Sequence, residues 1–215
     1  MRALAMMHRA FGKQASATLR TPPSLAERRE LLEWLIAEGE ERIRASLPRL
    51  AWRAFALRVQ RIVDWFRQVA PIVQSRLRRA GSPALPIQPC ARDIWHDHVL
   101  FTGDEVTGII DFGAMRSDSR VFDVARLLGS LVGDDRDAWR SGLERYGQLL
   151  PLSAQEAGLL RLADATTVLL SAMNWARWIC LDQRTFDDSD AVLAKLDGVL
   201  PRLERLARDR FNDES

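Results

Sequence analysis

The sequence has little of the residues that define several protein classes. Its two cysteines, Cys90 and Cys180, lie far apart and lack metal-ligand spacing, which excludes a disulfide framework and a cysteine-based zinc site. No apolar run approaches the roughly 18 residues that span a bilayer. The first residues, MRALAMMHRAF, are too short and too interrupted for a signal peptide. We therefore expect a cytoplasmic protein with no membrane partner.

Lysine is also scarce, since Lys13 and Lys195 are the only lysines among 31 basic residues. The arginines are most frequent in residues 40–79, but they are scattered through that segment, and no nucleic-acid-binding motif accompanies them. The formal net charge is only +2. This distribution predicts the solvated faces of amphipathic helices rather than a nucleic-acid partner.

The apolar pattern predicts a largely helical protein. With 215 residues, 47% hydrophobic and 28% charged, the chain has an ordinary globular composition, without repeats or low-complexity segments. Ser24, Ser153 and Ser189 are predicted N-caps. Apolar periodicity predicts helices over residues 4–11, 25–45, 50–73 (one helix, or two interrupted at Pro71), 121–131, 135–149, 153–180 and 190–208, with an extended linker at 81–89. We predict one domain over residues 1–215, of α+β class and predominantly α-helical, with one small β-hairpin.

That hairpin lies in residues 89–123, the part of the chain whose polar residues have the spacing of a reactive site. Two β-branched, apolar runs flank the turn sequence TGDE, which is typical of a hairpin. Asp93 precedes the first run and Asp111 follows the second. Two such carboxylates can face a shared cleft, where one accepts a proton from a hydroxyl and the other holds a divalent metal on a phosphate.

This stretch resembles the aminoglycoside phosphotransferase and choline kinase-like family, which is related to the protein kinases. The family has a catalytic-loop Asp, an Asn five residues later, a hairpin and an Asp-Phe-Gly-type metal motif. Here Arg92-Asp93 takes the catalytic-loop position, VLFTGDEVTGIIDFG matches the hairpin and metal motif, and VFDVARLLGSL resembles the following helix. The resemblance implies the helical C-terminal lobe of a kinase-like fold.

The resemblance also implies roles for individual residues. Asp93 would be the catalytic base, with Arg92 beside it as in the protein kinases, and Asp111 would bind Mg²⁺, or Mn²⁺ in its place. Asp123 would be structural, holding the catalytic loop, unless it is a plain N-cap. His98 falls where the family has the second metal ligand, although Mg²⁺ prefers oxygen. The implied reaction transfers the γ-phosphate of ATP, the nucleotide co-substrate, to a small-molecule hydroxyl acceptor.

The family's nucleotide-binding lobe has no counterpart in the sequence. No G-x-G occurs, and Lys13 is expected in a polar loop rather than in a strand. We therefore expect the chain to correspond to the C-terminal lobe alone. Its activity is then expected in a longer form, with the missing lobe supplied in cis or by a partner chain.

Two other functions remain open from the sequence. A metal-dependent hydrolase would use His96 and His98, which share a face if they lie on a strand, together with Asp93 and Asp111; the third histidine, His8, is distant in the sequence. Alternatively, the chain is a degenerate, non-catalytic kinase lobe retained as a binding module. His98 and the missing lobe favour that second alternative.

Overall fold

The computed structural model describes residues 1–14 and 18–208. It is largely helical with two small antiparallel sheets, as the predicted α+β class requires. The helices are α1 (Arg2–Gln14), α2 (Pro23–Trp34), α3 (Glu40–Ser46), α4 (Arg53–Ala80), α5 (Val121–Val132), α6 (Arg136–Gly147), α7 (Ala154–Cys180) and α8 (Ser189–Arg208). The strands are β1 (Thr18–Arg20), β2 (Leu85–Cys90), β3 (Val99–Thr102), β4 (Glu105–Ile109) and β5 (Arg116–Asp118). A π-helical turn, Leu35–Gly39, joins α2 to α3, and 3₁₀ turns cover Leu47–Arg49 and His96–His98.

The chain forms two compact units. The first comprises residues 1–26 and 80–164, and the second comprises residues 27–79 and the chain from residue 165 onward. Every residue of the predicted reactive stretch belongs to the first unit. The single domain expected over the whole chain stays a prediction.

A three-stranded antiparallel sheet in the first unit was not predicted. Its order is β1-β2-β5, and β2 pairs with β1 through residues 85–87 and with β5 through residues 88–90. The linker predicted at 81–89 is therefore partly wrong. Pro86 and Pro89 concealed the strand, but each half of β2 pairs on one side only, which is the setting in which a strand tolerates proline.

The predicted hairpin is confirmed as β3 and β4. Val99 pairs with Ile109 and Thr102 with Glu105, with a bulge between Leu100 and Phe101. The turn contains Gly103 at φ +60°, a left-handed conformation that glycine adopts at no steric cost. Most of the hairpin is exposed to solvent, including the apolar side chains of Leu100, Phe101, Val106 and Ile110.

The helix after the hairpin is confirmed as α5. Val121, Val124, Leu127 and Leu128 are buried, whereas Leu131 is 41% exposed. In the first unit these residues join Leu4 of α1, Ile87 of β2, and Ile94 in a buried core. Burying one such side chain contributes about 1.5–3 kcal/mol, so this core fixes where the polar face of α5 lies.

The second unit contains α3, α8, and most of α4. The apolar periodicity of α4 is confirmed, since Phe55, Val59, Ile62 and Phe66 are buried. The helix runs through Pro71 without a break, and Pro71 lies at an exposed position. No helix in the described part of the chain is long and apolar enough to cross a bilayer.

Several local predictions were wrong. Lys13 lies in the last turn of α1 rather than in a loop. Ser24 does not cap α2, which begins at Pro23; its N–H and hydroxyl donate to Asp118 instead. The cap of α8 is the carboxylate of Asp188, which accepts from Ala191 N, and not Ser189.

One predicted cap is confirmed. The hydroxyl of Ser153 accepts from Glu156 N at 3.2 Å, and the Glu156 carboxylate accepts from Ser153 N at 2.8 Å. This reciprocal pair is a capping box at the start of α7.

Candidate active site

The chain between β2 and β3 forms the Asp93 loop, residues 91–98. Ala91 and Ile94 are buried, whereas the side chain of Asp93 is 50% exposed. Arg92 adopts φ +64°, a left-handed conformation that costs a non-glycine residue about 1 kcal/mol or more. A loop with this backbone must be held by its surroundings, and three polar residues of α5 contact it.

Asp123 of α5 binds the backbone at the start of this loop. Its Oδ2 accepts from Ala91 N at 2.7 Å and its Oδ1 accepts from Arg92 N at 2.8 Å, and the side chain is 1% exposed. The plain N-cap interpretation of Asp123 is wrong, because Asp123 is the third residue of α5 and the helix has no side-chain cap. Its two carboxylate oxygens instead bind two consecutive amides of the loop.

Two further residues of the same helix contact the loop. Arg126 donates from Nη2 to the Asp93 carboxylate, and the Ser130 hydroxyl accepts from His96 N at 3.0 Å. Residues 123, 126 and 130 follow one another at intervals of one helical turn and therefore share a face. Arg126 and Ser130 were not predicted as site residues, although their helical spacing from Asp123 was a usable signal.

A buried histidine also contacts Asp123, at the oxygen that accepts from Ala91 N. His8 of α1 places Nε2 3.1 Å from Asp123 Oδ2 and Nδ1 2.8 Å from the Tyr146 hydroxyl of α6. His8 and Tyr146 are both fully buried, and burial raises the pKa of Tyr146 well above its usual range. His8 was set aside for its distance in the sequence, and nothing in its local pattern could have indicated this contact.

The side chain of Arg92 is directed at a second buried carboxylate. Its Nε lies 3.2 Å from Oδ2 of Asp118, the last residue of β5. Asp118 is fully buried and also accepts from Ser24 and from Ser119 N. Burial raises the pKa of Asp118, although these donors act in the opposite direction. Arg92 thus joins the Asp93 loop to β5.

A buried ion pair connects the start of α5 to the start of α7. Arg120 donates from Nε to Glu156 Oε1 at 2.7 Å and from Nη2 to Oε2 at 3.0 Å. Burial alone would raise the pKa of Glu156, but the hydrogen bond and charge of Arg120 outweigh it, so the pKa is lowered. Glu156 therefore takes part in the cap of α7 and also binds Arg120, the residue before α5.

The hairpin places Asp111 beside His98. Ile110 N donates to His98 O at 3.0 Å, which extends the β3–β4 ladder, and His98 Nε2 lies 3.5 Å from Asp111 Oδ2. Asp111 has φ +61°, and its side chain is 60% exposed. The structure thus brings the two predicted metal positions together at the open end of the hairpin.

The donor atoms of these two residues differ in how well they suit Mg²⁺. The exposed carboxylate oxygens of Asp111 are the ligands that Mg²⁺ prefers. His98 Nε2 accepts a hydrogen bond from Trp95 Nε1 at 2.7 Å, so its lone pair is used within the protein. Asp111 therefore fits the metal, whereas His98 in this arrangement does not supply a second ligand.

The geometry required by the hydrolase alternative is not present. His96 and His98 lie in a 3₁₀ turn rather than on a strand, and His96 Nε2 lies 3.1 Å from Asp97 Oδ1. Among the described residues, the group whose three ligand atoms lie within 4.8 Å is instead His8, Cys90 and Asp123. Cys90 is buried, and burial together with Asp123 raises the pKa of its thiol well above the usual range, so it is not a nucleophile.

Residues 1–162 match the model of the Phosphotransferase enzyme family. Because that match covers more than half of the chain, the chain belongs to this family, and the resemblance stated from residues 89–123 is confirmed.

Two curated relatives are similar to part of the chain. The homoserine kinase of Bradyrhizobium diazoefficiens is 31% identical over 93 residues, and the homoserine kinase of Rhizobium etli is 32% identical over 91 residues. Each match covers 40% of this chain and 28% of the relative. The matched part therefore spans little more than a quarter of the length of either relative.

Proposed function

We propose that the chain takes part in transfer of the γ-phosphate of ATP to the hydroxyl of a small molecule. Asp93 acts on the acceptor hydroxyl, and Asp111 is the metal ligand. The observation behind this proposal is the Asp93 loop: α5 holds its backbone, while the Asp93 side chain stays half exposed. At the other end of the same β-structured stretch, Asp111 presents an exposed carboxylate. The family match supports the class of reaction.

In this proposal each residue has a distinct task. Asp93 accepts the proton of the acceptor hydroxyl and orients its oxygen, which is the task of a general base. Asp111 would hold Mg²⁺, or Mn²⁺ in its place, which would supply charge neutralisation at the nucleotide phosphates. Arg92 and Asp123 are positioning residues, because their side chains contact Asp118 and the loop backbone respectively.

We further propose that the activity belongs to a longer form or to a complex with a nucleotide-binding lobe. Phosphoryl transfer depends on alignment of the phosphates, and the described part of the chain offers no glycine-rich loop and no lysine on a strand. The exposed apolar side chains of the hairpin, with Phe112 beside them, are suited to being covered by such a lobe. The reaction would take place in the cytoplasm, where ATP is available.

The acceptor is proposed at the level of its chemistry. The relatives named above are homoserine kinases, so homoserine is the first hydroxyl compound to test. Aminoglycosides follow, because the sequence resembles the aminoglycoside phosphotransferase family.

The test uses the complete form with Asp93→Asn and measures ADP release with ATP, Mg²⁺ and the acceptor panel. We expect loss of about 10²–10⁴-fold in turnover, the usual contribution of a general base. The matched control is Asp104→Asn, an exposed aspartate in the hairpin turn, which should retain activity. Circular dichroism should show the same fold in both variants. Normal turnover by Asp93→Asn would remove Asp93 from the reaction.

A non-catalytic binding module is the second candidate. It is favoured by the hydrogen bond from Trp95 Nε1 to His98 Nε2, because that bond occupies the nitrogen that would otherwise bind the second metal. Binding of Mg²⁺ and ATP by the complete form without ADP release, across the acceptor panel, would select this candidate.

A further inference from the structure

A continuous buried line of hydrogen bonds runs from α6 to the Asp93 loop. It passes from the Tyr146 hydroxyl to His8 Nδ1 at 2.8 Å, and from His8 Nε2 to Asp123 Oδ2 at 3.1 Å. Asp123 then accepts from the amides of Ala91 and Arg92. The three side chains of this line are each at most 1% exposed, so solvent cannot replace any of these bonds.

The tautomer of His8 sets the direction of the bonds on either side of it. An ionised carboxylate only accepts, so the His8 nitrogen that faces Asp123 must carry a hydrogen. In the neutral tautomer with its hydrogen on Nε2, His8 Nδ1 is an acceptor, and the Tyr146 O–H, 2.8 Å away, is then its donor. Every polar atom of the line then has a partner of the correct kind.

The same cluster is poorly suited to a metal ion. The His8 and Asp123 ligand atoms already bind each other, and Cys90 Sγ donates to Asp118 O at 3.3 Å. A metal would have to displace these bonds at a site that is buried on all three residues. The cluster is therefore a hydrogen-bond network.

We propose that His8 is a positioning residue for Asp93, a role that rests on the proposed function of Asp93 as the base. Oδ2 of Asp123 accepts from Ala91 N and also faces His8 Nε2, so His8 adds a third donor that limits rotation of the carboxylate. A fixed Asp123 plane keeps the amides of Ala91 and Arg92 in register and maintains the left-handed backbone of Arg92. Asp93 is the next residue after Arg92. The orientation of its side chain therefore depends on His8 of α1.

The first test measures amide hydrogen exchange on the full 215-residue chain without substrate. His8→Phe keeps a ring of similar volume and removes both nitrogens, whereas His8→Gln keeps a donor near the place of Nε2. We expect His8→Phe to accelerate exchange of the Ala91 and Arg92 amides at least tenfold relative to the buried amides of α5. His8→Gln should restore most of the protection.

Uniform acceleration across the first unit would assign His8 a general packing role and overturn the proposal. If His8→Phe does not fold, Tyr146→Phe gives the same comparison, because it leaves the imidazole in place and removes the donor to Nδ1. Selective acceleration at Ala91 and Arg92 then supports the proposal, and uniform or absent acceleration overturns it.

A second test reads the tautomer directly. The ¹⁵N shifts of the His8 ring in the wild-type chain should identify a hydrogen on Nε2 and none on Nδ1. A hydrogen on Nδ1 alone would leave Asp123 without its third donor and would overturn the proposal.

The last test separates this inference from the proposed function. In the complete form, His8→Phe should lower kcat about tenfold while the KM for ATP changes less than twofold. An unchanged kcat in a variant whose loop amides exchange selectively would overturn the positioning role. Failure of the proposed function shows differently, as turnover that survives Asp93→Asn.

Discussion

Arg126 donates a hydrogen bond from its guanidinium to Oδ1 of Asp93, the proposed base. Arg126 lies on α5 one turn after Asp123, which binds the amides just before Asp93. One helix therefore holds both the backbone and the side chain at this position. The pair is partly exposed, with 28% of the Arg126 side chain and 50% of the Asp93 side chain accessible.

Arg126→Gln should separate catalysis from stability. We expect kcat of the complete form to fall about 10²-fold, because small displacements of a reacting group have effects of that size. The free energy of unfolding of the chain should change by about 1 kcal/mol at most, since partly exposed ion pairs contribute little. Steady-state kinetics and urea denaturation measure the two effects.

The control for this variant is Arg140→Gln on α6, which removes an exposed pair with Asp137. It should change neither kcat nor the free energy of unfolding appreciably. Equal kinetic effects of the two substitutions would contradict a specific role for Arg126.

Metal binding should respond in opposite directions to two substitutions. Asp111→Asn should weaken Mn²⁺ binding because it removes the charged oxygen ligand. His98→Asn should strengthen it several-fold, because an amide oxygen would replace a nitrogen that accepts from Trp95. Electron paramagnetic resonance of free Mn²⁺ measures both affinities, and weaker binding by His98→Asn would contradict the assignment of the second position.

The Arg120–Glu156 pair should contribute strongly to stability. Glu156→Gln leaves the Arg120 guanidinium buried without a counter-charge, and we expect a loss of about 3–5 kcal/mol in the free energy of unfolding. Asp137→Asn, at a side chain that is 85% exposed, is the control and should change stability by less than about 0.5 kcal/mol. Urea denaturation at neutral pH compares them.

The same pair predicts an acid dependence. The pKa of Glu156 is lowered in the folded state, so its contribution is complete above its usual value of 4.5 and is lost as pH falls through the folded value. The stability difference between the wild-type chain and Glu156→Gln should therefore shrink on acidification below pH 4.5. A difference that stays constant would contradict the lowered pKa.

Asp118 should show the opposite sign. Its pKa is raised by burial, so the folded chain binds a proton more tightly than the unfolded chain, and stability decreases as pH rises from 3.8 through the folded value. Relative to Asp118→Asn, the wild-type chain should thus lose stability across that interval. Thermal unfolding of both proteins over a pH series measures the difference, and a wild-type gain with rising pH would refute it.

The hairpin and α5 could be predicted because their signals are local. Alternating and helical apolar periods, with a glycine turn between the strands, lie within residues 99–131. Asp93 and Asp111 could be placed at the two ends of this stretch for the same reason. Ser153 was recognised as a cap because a capping box involves only neighbouring residues.

The remaining features depend on contacts between distant residues. Strands β1 and β5 have three residues each, too few for an alternating pattern, and the prolines of β2 conceal its period. Ser24 had the pattern of a cap, but Asp118, 94 residues away, takes its donors. His8 reaches Asp123 across 115 residues and Tyr146 across 138, so no window of sequence contains the relation.

Those separations have a consequence for folding kinetics. The hydrogen bonds that hold the Asp93 loop join residues 31–138 positions apart. Closing such long stretches of chain costs conformational entropy, so these contacts form only after other packed elements have offset that cost. The hairpin can form from its own residues, whereas the loop beside it needs α1, α5 and α6 in place. Protection of the Ala91 and Arg92 amides is therefore expected to be among the last events of refolding, after the hairpin has closed.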